Sequence, residues 1–254
     1  MNKPRSFEKL WRKRFENFAA QAEDDAGIAG WSPTGLDARL RKFKEIWYSN
    51  DQFSSKKKWL DAGCGAGTYS RFIVKQGGEV VGLDYSLPSL QKARLKGESS
   101  IAWCVADINK IPIKPGYFDG AICFGVIQAL NDSTHAVNSL SKTVKPGGRI
   151  CLDALNSRCL PHLWEQFSRR IQNKPMHLRY ETVDNLRRLM KKNGLNNIQL
   201  HWLPILPARW YRFQWIMETN PVRWFFRYFP FMGQLFSHSF ILSGQRQQDI
   251  IHNV

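Results

Sequence analysis

Trp59–Tyr69 reads WLDAGCGAGTY. A short apolar lead-in, Trp59 and Leu60, runs to an acid at Asp61 and then to glycines at 63, 65 and 67. That is the pattern of a buried strand end, a tight turn and the start of a helix. Glycines this close together let the backbone take positive φ values and leave bare main chain for a ligand to lie against. The N-terminus of the helix that follows offers unpaired N–H groups. Several nucleotide-binding loops share these physics, so the spacing decides among them. A dinucleotide loop has G-x-G-x-x-G, whereas here the third glycine comes one place early and Thr68 stands in its position. A P-loop needs Lys-Ser or Lys-Thr after its glycines, and neither follows.

Moving outward, three further apolar runs end at the same kind of position. Glu79–Asp84 (EVVGLD) closes on an acid 23 residues after Asp61, and Ile101–Ile108 (IAWCVADI) carries Asp107 a further 23 residues on. A carboxylate at such a strand end can accept both hydroxyls of a ribose. Phe118–Gly125 (FDGAICFG) reads as a fourth strand, and Lys145-Pro146-Gly147-Gly148 as the turn into a fifth at Arg149–Leu155. Helices are expected near 68–76, 87–96 and 132–144, and this alternation predicts a parallel sheet.

The D-x-G-x-G-x-G loop resembles motif I of the class I S-adenosyl-L-methionine (SAM)-dependent methyltransferases. The acid before the glycines would repel a phosphate and suits a ligand with ammonium and sulfonium groups. The five segments resemble that family's motifs in order over residues 59–155, about two fifths of the chain. The resemblance implies an α/β, Rossmann-like fold with a seven-stranded, mostly parallel sheet, its last strand antiparallel, and helices on both faces. It implies SAM as methyl donor and S-adenosyl-L-homocysteine as product. It gives Asp61, Gly63, Gly65 and Gly67 to the methionine half, helped by Phe124, gives Asp84 to the ribose with Tyr85 beside the adenine, and puts Asp107 and Ile108 at the adenine edge. Cys64 would be a small filler in the loop. The run Phe124-Gly125-Val126-Ile127-Gln128 resembles the ubiquinone/menaquinone-biosynthesis and type 11 small-molecule enzymes rather than those that methylate base amino groups. Such enzymes often carry a His near the Gln128 position, and its absence here leaves the base unassigned. His135, His162, His177 and Tyr180 are the candidates.

The chain has 254 residues, 43% of them hydrophobic, and a net charge of +16. No run is long and apolar enough to span a bilayer, and the basic N-terminus lacks the apolar stretch of a secretory signal. The five cysteines form no C-x-x-C pair, which predicts free thiols in a reducing cytoplasm and no metal site. The charge is uneven: residues 59–157 carry 10 basic and 8 acidic side chains, and residues 158–254 carry 14 and 5. Such a field favours an anionic partner.

Residues 1–58 read as an N-terminal helical cap and 59–254 as the SAM-binding core, with insertions at 156–180 and 208–236. In the cap, Phe7, Leu10, Trp11, Phe15 and Phe18 share one helical face, which fits a membrane-surface helix, a substrate cover or packing on its own domain. Leu36–Trp47 shows a second helical pattern. Trp31 and Arg39 are candidates for closing over the cofactor. The 156–180 segment is expected to cover the substrate, with a helix near 161–172. Glu181–Gly194 predicts a helix, Asn197–Leu203 strand six and Ser237–Gly244 the last strand. Ala208–Phe236 holds eleven aromatics, four arginines and one acid, Glu218. Rings interleaved with Arg suit an anionic membrane surface, RNA, or a helical subdomain packed on the core or on a dimer partner. The expectation is a cytoplasmic enzyme, peripheral to the inner face of the membrane, that methylates a small apolar or lipid-linked acceptor. RNA or protein methylation, and a non-catalytic docking subunit, stand as alternatives.

Overall fold

The computed structural model describes residues 4–49, 57–96, 99–175, 178–206 and 208–248. Three helices precede the first strand: α1 (Pro4–Gln21), α2 (Asp25–Ile28) and α3 (Pro33–Tyr48). Then come β1 (Lys58–Ala62), α4 (Thr68–Lys75), β2 (Glu79–Asp84), α5 (Leu87–Lys96), β3 (Ile101–Val105), β4 (Phe118–Cys123), α6 (Thr134–Thr143) and β5 (Val144–Leu155). The chain continues through α7 (Leu160–Ile171), α8 (Val183–Lys192), β6 (Leu195–Leu203), α9 (Gln214–Met217), α10 (Asn220–Tyr228), α11 (Pro230–Phe236) and β7 (Ser239–Arg246).

The strands form one seven-stranded sheet in the order β3-β2-β1-β4-β5-β7-β6. The first five are parallel, and β7 lies antiparallel to both β5 and β6. Alternation along each strand feeds two cores, because successive side chains point to opposite faces. Leu60, Ala121, Ile150, Leu152 and Leu242 pack with α6 and α8 on one face. Trp59, Ile122, Cys151 and Ile241 pack with α3 and α4 on the other. Phe43, Ile46 and Trp47 of α3 belong to that second core, so α3 is built into the sheet's covering layer rather than laid over it. Its start is fixed by Ser32, whose Oγ accepts the Gly35 N–H at 3.1 Å, with Pro33 in the first turn.

Strand order reverses between β2 and β4 on either side of β1. Loops at the carboxyl ends of these strands therefore diverge and open a crevice. The strands match the sequence expectation to within two residues, apart from two larger differences. β3 stops at Val105, because Asp107 Oδ1 accepts the Asn109 N–H at 2.9 Å and turns the chain into a 3₁₀ turn over Ile108–Lys110. β5 begins at Val144 and includes the Lys145–Gly148 run expected as a turn, with a register shift opposite Phe118–Gly120. In the 208–236 segment, Pro221 and Pro230 stand in the first turns of α10 and α11.

Candidate active site

The crevice at the carboxyl ends of β1, β2 and β4 holds most of the residues expected there. Gly63, Gly65, Asp84, Tyr85, Asp107, Ile108 and Phe124 line one pocket. Asp84 is its best-defined polar group. Its Oδ2 accepts the Gly65 N–H at 2.9 Å and its Oδ1 the Ser86 N–H at 2.8 Å. Each oxygen keeps a second acceptor position, so the pair can take two hydroxyls of a ribose. Burial pushes this carboxyl above its ordinary range, against the three backbone N–H groups that favour the charged form. Gly65 has φ +51°, and a Cβ there would meet nothing within 4 Å. The bare backbone thus faces open space, as a cradle for a ligand requires. These features fit an adenosine and its amino-acid tail.

Asp61 sits deeper than the other expected cofactor residues. It does not line the pocket; it is 1% exposed beneath the loop, and its Oδ2 accepts the Ser70 hydroxyl at 2.6 Å. An acid here ties strand β1 to the first turn of α4 and so shapes the loop from below. Burial raises its pKa to about 7, despite the Ser70 hydrogen bonds. Gly67 is likewise behind the pocket, packed on the Trp103 ring. Cys64 is buried and its thiol is pushed up by burial, so it is no thiolate nucleophile.

The pocket is roofed by α1. Trp11 and Phe15 line it, the Arg12 guanidinium sits 5.2 Å from the centre of the Tyr85 ring, and Arg12 pairs with Asp107. Glu8 Oε1 accepts the Asn131 N–H at 2.9 Å. Among the three uses open to this helix, its aromatic face is spent on covering the pocket.

A second cavity of about 530 Å³ adjoins the first, sharing Trp11, Phe15, Ala29 and Trp31 with it. Its wall is largely apolar, from Leu155, Leu178, Ile205 and Leu206, with polar groups from Arg39, Gln128 and His238. Gln128 is 5% exposed, and its Oε1 has no hydrogen-bond partner within the protein. A buried acceptor in that state awaits a donor. His238 stands at the foot of β7. Burial, then the charge of Arg39 and the neighbouring His162, lower its pKa to about 3, so it is a neutral imidazole at neutral pH.

The four candidate bases separate. His135 is exposed on the first turn of α6 and lines neither cavity. His162 is buried; its Nδ1 lies 2.7 Å from the Asn156 carbonyl oxygen, and its ring packs between Tyr180 and His238 at 4.6 and 4.4 Å. It backs His238 rather than reaching the cavity. The Tyr180 hydroxyl donates to Glu165 Oε2 at 2.8 Å, and burial, then that partner, keep it protonated. His177 lies outside the described residues.

Sequence reasoning missed two residues of the site, Asp153 and His238, and Asp153 organises the junction between the N-terminal helices and the sheet. Asp153, 1% exposed in β5, accepts the Gly125 N–H at 2.6 Å on Oδ1 and the Arg39 Nε–H at 3.1 Å on Oδ2. Arg39 also lies over the Trp31 ring at 4.4 Å and donates to the Gly35 carbonyl at 3.2 Å. Trp31 in turn rests on Gly125, where a Cβ would come within 2.1 Å of the indole. An acid inside the apolar run Ile150–Leu155 was the signal available for Asp153. His238 had no comparable signal, being a lone histidine in Ser237–Gly244, a run that reads as a strand.

Residues 60–152 match the family described as a methyltransferase domain. Among curated relatives, the malonyl-[acyl-carrier protein] O-methyltransferase of Salmonella typhimurium is 36% identical over 149 residues, covering 59% of this chain and 55% of its own. The ubiquinone biosynthesis O-methyltransferase of Aliivibrio fischeri is 30% identical over 161 residues, covering 60% and 65%. The chain spans about half the length of the curated relatives it matches. Among solved structures, the magnesium protoporphyrin IX methyltransferase of Synechocystis with bound S-adenosyl-L-homocysteine superposes with a TM-score of 0.59 at 14% identity, over 96% of this chain and 97% of that one. Phosphoethanolamine N-methyltransferase 2 of Haemonchus contortus with SAM gives 0.63 at 13%, over 92% and 60%.

Proposed function

We propose that the chain, whose residues 60–152 match a methyltransferase domain, is a class I SAM-dependent methyltransferase that transfers the methyl of SAM to a small acceptor, apolar or lipid-linked, presented at a membrane surface. The observation that carries this reading is the largely apolar cavity that shares a wall with the cofactor pocket and holds a few polar groups, Gln128 and His238 among them. When bound, SAM supplies an electrophilic methyl on a sulfonium. Asp84 and the backbone around Gly65 would hold its ribose and tail, and Asp107 with Ile108 its adenine. The α1 roof excludes water from both partners, and Trp31 with Phe15 forms the shared wall that sets their approach. Alignment and desolvation of this kind account for most of the rate in a direct displacement.

In this reading Gln128 Oε1 accepts a hydrogen bond from the acceptor's hydroxyl or amine and orients it. The neutral His238 imidazole offers the acceptor a second hydrogen-bond partner; with its pKa lowered to about 3 by burial and then by Arg39, it is too weak a base to carry the proton away. A carrier-tethered acceptor is a second reading, favoured by the relatives described as malonyl-[acyl-carrier protein] O-methyltransferases.

The test is transfer of labelled methyl from SAM into a whole-cell extract, split into organic-soluble, small aqueous, nucleic-acid and protein fractions. Label in the organic fraction is expected. Label confined to protein would favour the carrier-tethered acceptor, and label in nucleic acid would overturn the small-acceptor reading.

A further inference from the structure

Helix α7 carries its apolar stripe outward. Leu160, Leu163, Trp164, Phe167 and Ile171 fall on one side of the helix, and all five are exposed, Trp164 at 70%. His162 is the buried residue of α7. A helix so strongly two-sided ordinarily turns its apolar side to a core. Here that side faces away from the sheet, although the sequence assigned the segment to covering substrate.

The same is true of the 208–236 insertion. Trp215, Trp224, Tyr228, Phe229 and Phe231 are all more than half exposed, and Trp224 stacks on Tyr228 at 4.5 Å rather than on the body of the protein. The two segments come together at the acceptor cavity, which Pro161 at the start of α7 and Phe236 at the end of α11 both line. Asn156 Nδ2 donates to the Gln234 and Ser237 carbonyls at 2.6 and 2.8 Å, tying the approach to α7 to the end of α11.

Exposed apolar surface on this scale marks an interaction face, and its charge indicates the partner. Residues 158–254 carry 14 basic and 5 acidic side chains. Arg169 and Arg170 lie in the last turn of α7, Lys174 just after it, and Arg212 sits over the Phe213 ring at 4.7 Å. Rings flanked by cations suit an interfacial layer with anionic headgroups. Among the described residues no helix is long and apolar enough to cross a membrane, so insertion would be in-plane.

We propose that α7 and α9–α11 form a single docking face for an anionic bilayer, and that this face opens the acceptor cavity directly onto the lipid. It rests on the reading of an apolar acceptor and names where that acceptor is collected. The face has two halves, one of which the sequence did not assign to a membrane.

The experiment is sedimentation of the full chain with vesicles of phosphatidylglycerol mixed with phosphatidylcholine, against phosphatidylcholine alone, without methyl donor. Two variants are used: Trp164→Ser with Phe167→Ser on α7, and Trp224→Ser with Phe231→Ser on the insertion. Each pair is expected to weaken partitioning into the mixed vesicles by roughly tenfold, with weak binding to the neutral ones. Calorimetric SAM binding, measured separately without lipid, should be unchanged in both variants, which shows that they are folded. Vesicle binding that ignores the α7 pair would overturn the proposal. So would equal binding to neutral vesicles, RNA binding with no vesicle binding, or a dimer that the same substitutions dissociate. Intact SAM binding with no vesicle binding sinks the docking face alone. Vesicle binding without SAM binding sinks the enzymatic reading alone.

Discussion

Replacing Arg39 with methionine tests whether the junction between the N-terminal helices and the sheet is held by a buried charge. The guanidinium and the Asp153 carboxylate have side-chain exposures of 6% and 1%. Methionine keeps much of the length of the side chain and removes the charge and the hydrogen bonds. Asp153 would then be buried with only the Gly125 N–H for company. Breaking a buried pair by removing one partner costs ~3–5 kcal/mol, because an uncompensated charge is left in the interior. Loss of the Trp31 contact adds to this, about 1 kcal/mol for a partly desolvated cation–π pair. For a chain of this size the melting temperature should fall by about 10 °C or more. The sign with pH is also fixed. Burial already raises the Asp153 pKa, and Arg39 opposes the rise. Without Arg39 the folded-state pKa climbs further above the unfolded value, so the penalty is small in acid and grows as pH rises through the folded pKa. Denaturant unfolding of Arg39→Met should therefore show a larger deficit at about pH 8 than at about pH 5. Arg39→Met with Asp153→Asn should recover at least ~1.5 kcal/mol of the summed single losses, the coupling expected of contacting residues. A deficit below ~1 kcal/mol, or one independent of pH, would refute the account of a charge kept in place by its partner.

Other outcomes follow from the site. Asp84→Ala should leave a folded protein and lower calorimetric SAM affinity by about 100-fold, two charge-assisted hydrogen bonds being at stake; wild-type-like affinity would sink the ribose assignment. Gly65→Ala should cost only ~1 kcal/mol of stability at φ +51° yet weaken SAM binding, because its Cβ enters open pocket space. Gly125→Ala should cost ~3 kcal/mol or more, since Trp31 must move; if the two alanine variants unfold alike, the close packing of Trp31 is wrong. His201 and His238 have folded pKa values lowered to about 4 and about 3, both first by burial. The unfolded chain binds their protons first, so the stability they allow is intact above ~6.5 and is lost as pH falls toward those values. Asp61, raised to about 7, acts oppositely, its contribution being present below 3.8 and lost as pH rises through 7. Urea midpoints taken across this range should fall less steeply in acid for His201→Gln than for the parent, and parallel curves would contradict the buried neutral imidazole.

What the chain reveals unaided follows from how local each feature is. The glycine loop, the acids spaced behind it and the strand-helix alternation are short-range patterns, and they placed the sheet and Asp84, Tyr85, Asp107, Ile108 and Phe124 at one crevice. Asp61 shows the limit of the same logic. An acid beside a ligand loop and an acid beneath it are identical in sequence; only the side-chain direction, set by the strand's period of two, separates them. Leu60 and Ala62 feed the core shared with α6 and α8, which puts Asp61 on the side of α4 and Ser70. The acceptor cavity is less legible still, because its wall is assembled from Trp31, Gln128, Leu178, Leu206 and His238. No local period relates a loop after α2 to the first residues before β7, and the antiparallel placement of β7 between β5 and β6 is what brings His238 against His162. The outward facing of α7 went unread for a different reason. An amphipathic helix has the same sequence whether its apolar side meets a core or a bilayer, and the direction it faces is decided by what the sheet has left uncovered. Here α3, α4, α6 and α8 already cover both faces of the sheet, so the stripe on α7 has nothing in the fold left to bury.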